Sequence, residues 1–415
     1  MVKRRKPEAG STAAPPVGAA PTSAPATYAP AFKAGIQATT SRVQEMHNAI
    51  SGKTFDALQK VPGLSVSARL VQGAHDAITT GVYAAVRHGT GALLGLVGNA
   101  ERLLVDPARE PAGRELAFRS ALNAAAGDAL ARAGSPLAVQ MSLHAQGQPL
   151  ALRPDALVHL NERVCVFIHG LACDEHSWSL FTDAWRGSPW DREGASYGAL
   201  LHDELGISAV YLRYNTGLAI ADNAQQLGTQ LAQLMSSAPP HVREIVLVGH
   251  SMGGLVARQL CEQATEADAA WRQRVRTVIC LGSPHQGATL EKLGHFVAAA
   301  LSLSNVTQPL GTIANARSQG IKDLRHGLKG RKRRTEGLAL RLVAGSLADE
   351  ADAMMGPMVG TVLGDGLVTT TSASDASLIG DVQRVELAGL GHMALLNHPR
   401  VYALIRDWLG SAPRG

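Results

Sequence analysis

Apolar positions along this chain recur with two different periods, and the change between them divides it. From about 32 to 133 the spacing is helical, rich in Ala, Leu and Val, with breaks near Pro62-Gly63, Pro107 and Pro111. Beyond 138, short β-branched runs take over. Residues 138–152, centred on Gly147, predict a β-hairpin, and strands are expected at 164–169, 209–214, 245–249, 277–282, 339–344 and 383–387, with helical stretches between most of them. An antiparallel start followed by alternating strands and helices predicts an α/β fold, a doubly wound and mostly parallel sheet. The expected domains are therefore a Pro/Ala-rich disordered tail over 1–31, a helical accessory region over 32–135, and an α/β domain over 136–415.

The accessory region carries a two-copy repeat. Val43-Gln44-Glu45-Met46-His47-Asn48-Ala49-Ile50 aligns with Val71-Gln72-Gly73-Ala74-His75-Asp76-Ala77-Ile78. The offset of 28 residues is a whole number of heptads, so both copies present the same helical face, and a helical hairpin across Pro62-Gly63 is expected. His47 and His75 read as polar positions on packed helices, since no Cys, Asp or Glu cluster joins them to hold a metal.

One stretch carries the chemistry. Glu244-Ile-Val-Leu-Val248 reads as a buried strand, Leu255 onward as a helix, and Gly249-His250-Ser251-Met252-Gly253 between them fits G-x-S-x-G in its strand–turn–helix setting. A sharp turn there lifts the Ser251 hydroxyl above the sheet and aims a helix N-terminus at developing negative charge.

A nucleophilic serine needs a base, the base needs an orienting acid, and the intermediate needs an oxyanion hole. His392, in Gly391-His392-Met393 after the last expected strand, is the base candidate; His398, next to Pro399 at the entry to a final helix, is the competitor. Asp365, in Gly364-Asp365-Gly366, stands between the last two strands and gives the order Ser–Asp–His, while Asp349, Glu350, Asp352, Asp375 and Asp381 are alternative acids. Phe167-Ile-His-Gly-Leu-Ala172 follows the first central strand, so the backbone N–H groups of Leu171 and Met252 are the expected oxyanion hole, with His169 and His250 supporting the loops.

Composition narrows the remaining classes. The net charge of +5 is concentrated: Lys3-Arg4-Arg5-Lys6 and the run Lys329, Arg331, Lys332, Arg333, Arg334 hold nine positive charges, leaving about −4 for the rest, so no basic face for nucleic acid is expected. Four cysteines do not suggest a disulfide framework; Cys165 and Cys280 fall in expected strands, Cys261 in the helix after the elbow, and Cys173 in a loop near the site. With a start that continues into Pro/Ala/Gly/Ser instead of an apolar signal core, this favours a reducing, cytoplasmic setting. Residues 79–97 come nearest to a membrane span, and Arg87 and His88 interrupt them.

These motifs carry a resemblance. From about 160 to 409 the chain resembles an α/β-hydrolase of the lipase/esterase kind. Leu247-Val-Gly-His-Ser-Met-Gly-Gly-Leu-Val-Ala-Arg258 and Leu281-Gly-Ser-Pro-His-Gln-Gly-Ala288 are similar to bacterial triacylglycerol lipases and the GPI inositol-deacylase-like group; the Phe-Ile-His-Gly-Leu stretch, the Gly-Asp-Gly-Leu-Val turn and the Gly-His-x-x-Leu-Leu ending match as well. The resemblance implies ester hydrolysis without a cofactor or metal, with Ser251, Asp365 and His392 as triad and Leu171 and Met252 as oxyanion residues. It leaves 1–135 uncovered.

Between two strands, 286–336 is longer than a simple crossover, and its apolar stretch 293–303 fits either a lid that admits an acyl chain or an ordinary packed helix. The basic run after it would favour peripheral contact with an anionic lipid surface, or form a solvated loop. Met354, Met355 and Met358 are candidates to line an acyl pocket or to fill core. The reading is thus a serine hydrolase of carboxylic esters, lipid-like among them. Alternatives are an acyltransferase with the same triad, and a helical module over 32–133 that binds a partner or self-associates and delivers the hydrolase.

Overall fold

In the computed structural model the described residues are 113–411, except 133, 136, 290, 291, 294–317, 329–336 and 348–363. The N-terminal tail, the repeat with His47 and His75, the apolar stretch 293–303 beyond Leu293, the basic run 329–334, and Asp349, Glu350, Asp352, Met354, Met355 and Met358 lie outside the described residues.

The elements in chain order are α1 (Gly113–Arg132), β1 (Ser142–Ala145), β2 (Gln148–Pro149), β3 (Arg163–Ile168), α2 (Tyr197–Leu205), β4 (Ile207–Arg213), α3 (Ile220–Ser237), β5 (Glu244–His250), α4 (Met252–Gln263), β6 (Val275–Leu281), α5 (Gln319–His326), β7 (Ala339–Ser346), β8 (Val382–Ala388) and α6 (Pro399–Gly410), with shorter turns of helix between some of them. The strands form one eight-stranded sheet in the order β2-β1-β4-β3-β5-β6-β7-β8. β3 to β8 run parallel, whereas β1 is antiparallel to both β2 and β4. The hairpin turn at Gln146-Gly147 has φ of 51° and 75°, the pair of positive angles that matches the twist of the strands it joins.

Each of the six expected parallel strands is present, shifted at its ends by a residue or two. Alternation sorts their side chains onto two faces. Val164, Val166, Ile168, Ile245, Leu247, Val278 and Cys280 join a core with α1, α3 and α4. Cys165, Phe167, Val246, Val248, Ile279 and Leu281 join a second core with Trp178, Trp185, Tyr197 and Tyr402. Burial on both faces explains why these strands read in sequence as unbroken apolar runs.

The packing moves one expected boundary. α1 falls within the stretch assigned to the accessory region, yet Phe118, Ala121, Leu122, Ala124, Ala125 and Leu130 belong to the first core. Asn215 Nδ2 donates to the Gly127 carbonyl at 3.0 Å, and Ser318 Oγ to the Ala124 carbonyl at 2.6 Å. The α/β unit therefore reaches back at least to Gly113. No described helix is long and apolar enough to cross a membrane.

Candidate active site

β5 ends at His250 and α4 begins at Met252, so Ser251 alone makes the turn, at φ 53° and ψ −120°. An L-residue at positive φ costs energy that the surroundings must supply. They do so through tight backbone approach. A Cβ on Gly249 would lie 2.3 Å from the Gly254 nitrogen, and one on Gly253 would lie 2.1 Å from the Ile168 carbonyl oxygen. The Ser251 N–H donates to the Leu281 carbonyl at 2.8 Å, tying the turn to the neighbouring strand.

His392 and Asp365 come from the loops after β8 and β7. His392 Nδ1 donates to Asp365 Oδ2 at 2.7 Å, and its backbone N–H donates to the Asp365 carbonyl at 2.9 Å. Asp365 Oδ1 accepts from the amides of Leu367 and Val368 at 3.0 and 2.7 Å. Burial works against the Asp365 charge, but the His392 imidazole and these donors outweigh it and hold the carboxyl below its ordinary value. The acid is thus an anion whose lone pairs fix the imidazole with Nδ1 protonated, leaving Nε2 to exchange a proton.

The His392 ring lies 4.6 Å, centroid to centroid, from that of His250, the residue before Ser251. The structure therefore brings the Ser251 turn, His392 and Asp365 to one end of the sheet. Gly170 and Leu171 close that end from the β3 side, where a Cβ on Gly170 would lie 3.0 Å from Ser251 Cβ. Leu171 and Met252 are both buried, and Met252 is the first residue of α4, where a helical N–H has no carbonyl four residues back to bond.

The competing candidates have other partners. His398 caps α6, accepting from the Arg400 amide at 3.2 Å. Asp381 pairs with Arg341 at 2.8 Å on the far edge of the sheet. Asp375 lies in a buried network: Arg258 Nη1 approaches its Oδ2 at 3.8 Å, and Gln286 Nε2 donates to its Oδ1 at 3.1 Å. In the same network Arg258 donates to His285 Nδ1 at 2.9 Å and to Glu262 Oε1 at 2.7 Å, joining α4, the loop after β6 and the turn after Thr370–Ser374. Sequence reading missed this network. Its signal was an arginine two turns after Ser251 on a helix whose buried residues are apolar apart from Arg258 and Gln259.

All four cysteines are free and buried, and burial raises the Cys173 thiol to about 12, which leaves it unreactive. Among the described residues, Asp174, Glu175 and His176 are grouped closely enough to hold a metal ion. However, Arg213 engages both Glu175 oxygens, and Asp174 Oδ1 caps the His176 amide, so these donors are already committed.

The stretch 207–321, from β4 into α5, matches the family model of the PGAP1-like alpha/beta domain. No curated protein sequence matches the chain significantly. Solved structures similar to it include a mature lipase of Bacillus licheniformis (18% identity, TM-score 0.41, 65% of this chain and 98% of that one) and a thermophilic esterase of Thermogutta terrifontis (17%, 0.35, 60% and 90%). A thioesterase of the prodiginine pathway in Streptomyces coelicolor is similar at 15% identity, TM-score 0.34, over 60% and 85%. Likeness this distant assigns no activity. The mostly parallel eight-stranded sheet, with its sharp turn between β5 and α4, is the α/β-hydrolase fold.

Proposed function

We propose that this chain is a carboxylic-ester hydrolase that works through an acyl-enzyme on Ser251. His392 Nε2 takes the Ser251 proton as the oxygen attacks the ester carbonyl, and Asp365 stabilises the imidazolium that forms. The tetrahedral oxyanion is held by the N–H groups of Leu171 and Met252, each such donor contributing about 3–4 kcal/mol to the transition state. Collapse expels the alcohol with the proton from His392. Water, deprotonated in turn by His392, attacks the acyl-serine and releases the acid and free Ser251.

The observation that carries this reading is the backbone of Ser251, held at φ 53° at the head of α4 beside the hydrogen-bonded His392–Asp365 pair. Strain of this kind persists where a position is over-determined by its surroundings, and it clusters at active sites. An apolar substrate is supported by Leu347, which is 52% exposed and lies over the acid and base loops. A Cβ on Gly366 or Gly391 would meet its methyl carbons at 3.3 and 3.4 Å. Lipid-like acyl esters are the substrate class proposed. Turnover of p-nitrophenyl esters of graded acyl length tests this: a long-chain optimum supports it, and a short-chain optimum restricts the enzyme to small esters. Product analysis with an alcohol acceptor separates hydrolysis, which releases free acid, from acyl transfer, which yields a new ester.

A further inference from the structure

We propose that His250 is a positioning residue for His392, its Nε2–H holding the His392 main-chain carbonyl; as a role in catalysis this rests on the ester hydrolysis proposed above. The contact is 3.0 Å between the ring nitrogen and the carbonyl oxygen. A carbonyl can only accept, so Nε2 must carry a proton, and in the neutral ring Nδ1 is then bare. The tautomer agrees with its surroundings. Among the described residues Nδ1 has no hydrogen-bond partner, and the backbone of Gly170 is so close that a Cβ there would come within 3.0 Å of it. His250 is 1% exposed, and burial first, then the charge of His392, lowers its imidazole to about 3. Near neutral pH it is therefore uncharged, and the hydrogen bond to the carbonyl makes it a donor and not a second base.

The placement gives this donor its consequence. The main chain of His392 is gripped at its N–H by the Asp365 carbonyl, and its side chain is gripped at Nδ1 by Asp365 Oδ2. Both of those contacts come from the acid loop, and neither refers to the nucleophile. The third grip, at the carbonyl, comes from the residue bonded directly to Ser251. His250 thus couples the position of the base to the strand that carries the nucleophile, while its other edge lies against the Gly170 turn expected to hold the oxyanion. A ring contact of 4.6 Å at an interplanar angle of 52° keeps the two imidazoles in register, and Trp178 meets His250 edge-on at 6.5 Å. The loop is anchored on either side of His392, by the Leu390 amide on the Ser346 carbonyl at 3.0 Å and by Tyr197 Oη on the Leu395 carbonyl at 2.9 Å, and His250 holds the carbonyl between them.

Two amide variants separate hydrogen bonding from space. The terminal NH2 of glutamine can take the place of imidazole Nε2, whereas that of asparagine falls where Nδ1 was and cannot reach the carbonyl. Two measurements are made on wild type, H250Q and H250N. One is the low-field proton resonance of the His392 Nδ1–H, assigned by its loss in H392Q; the other is kcat and KM on a p-nitrophenyl ester. The resonance is expected to persist in H250Q and to broaden or vanish in H250N. H250N is expected to lose about 10²-fold in kcat with little change in KM, as for a misplaced catalytic group, and H250Q to stay within about tenfold of wild type.

An unchanged resonance and kcat in H250N overturns the proposal, and so does an H250Q protein that melts like wild type yet loses as much as H250N. Should H250N fail to fold, H250Q decides: retained kcat supports the hydrogen bond, and a loss of about 10²-fold contradicts it. The resonance needs no substrate. If wild type turns over no ester while the resonance follows the donor, the ester reading fails and the positioning contact stands.

Discussion

Arg258 Nη1 and His285 Nδ1 lie 2.9 Å apart, both residues almost wholly buried, and this contact fixes the charge state of the histidine. An arginine can only donate, so His285 must accept at Nδ1 and be neutral. Burial first, then the Arg258 charge, lowers its imidazole to about 3.

A pH-dependent stability follows. Between about 6.5, where an unfolded histidine titrates, and about 3, the unfolded state binds a proton at position 285 that the folded state does not. Stability from this site is fully present above that window and is lost as the pH falls through it. The unfolding free energy of wild type should therefore fall more steeply between pH 6 and 5 than that of H285Q, by about 1.4 kcal/mol per pH unit. Chemical denaturation at several pH values measures the difference. Equal slopes would mean that His285 is protonated in the folded protein.

Glu175 and Arg213 make a buried charge pair, with Arg213 Nε donating to Glu175 Oε2 at 3.0 Å and a second bond from Nη2 to Oε1. Burial raises the Glu175 carboxyl, but Arg213 outweighs it, and the net value is about 2. The group's folded value is depressed, so its stabilisation is present above about 4.5 and is lost as the pH falls towards 2. Removing one partner at neutral pH, as in R213M, should cost about 3–5 kcal/mol by stripping the buried Glu175 carboxylate of its guanidinium. Thermal melting reads the loss, and a variant that melts like wild type would contradict the pairing.

The glycines of the turn are predicted to be irreplaceable on steric grounds. G253A places a methyl 2.1 Å from the Ile168 carbonyl oxygen, backbone that cannot rotate away. Overpacking of this kind costs about 1–3 kcal/mol or more, and here it also displaces Ser251 from the head of α4. A lowered melting temperature with ester turnover reduced about 10²-fold or more is expected; an active G253A would show that the turn can relax.

D365N tests the acid separately from the fold. The amide can present its NH2 to His392 Nδ1 and stabilise the wrong tautomer, so kcat should fall by about 10⁴-fold with KM nearly unchanged. Steady-state kinetics on one ester suffices. A loss below about tenfold would assign the orienting role to another group.

Much of the sheet was legible because its strands are buried on both faces, so 164–168 and 245–248 read as continuous apolar runs whatever their partners. The Ser251 turn was legible because its glycines are demanded locally by backbone approach. α1 was misplaced for the opposite reason. Its helical period continues that of the preceding residues, and the groups that bind it into the core, Asn215 and Ser318, are remote in sequence. Asp375 was a competing acid for the same kind of reason: nothing near it in sequence announces that its charge is engaged by Arg258. His250 was expected to support a loop, but the carbonyl it holds is 142 residues away.

The central claim, that Ser251 is an activated nucleophile, is tested most directly by fluorophosphonate labelling followed by peptide mass mapping, with wild type beside S251A. The account predicts stoichiometric modification of the peptide containing Ser251 in wild type and none in S251A. No labelling of wild type, or equal labelling of S251A, would contradict it.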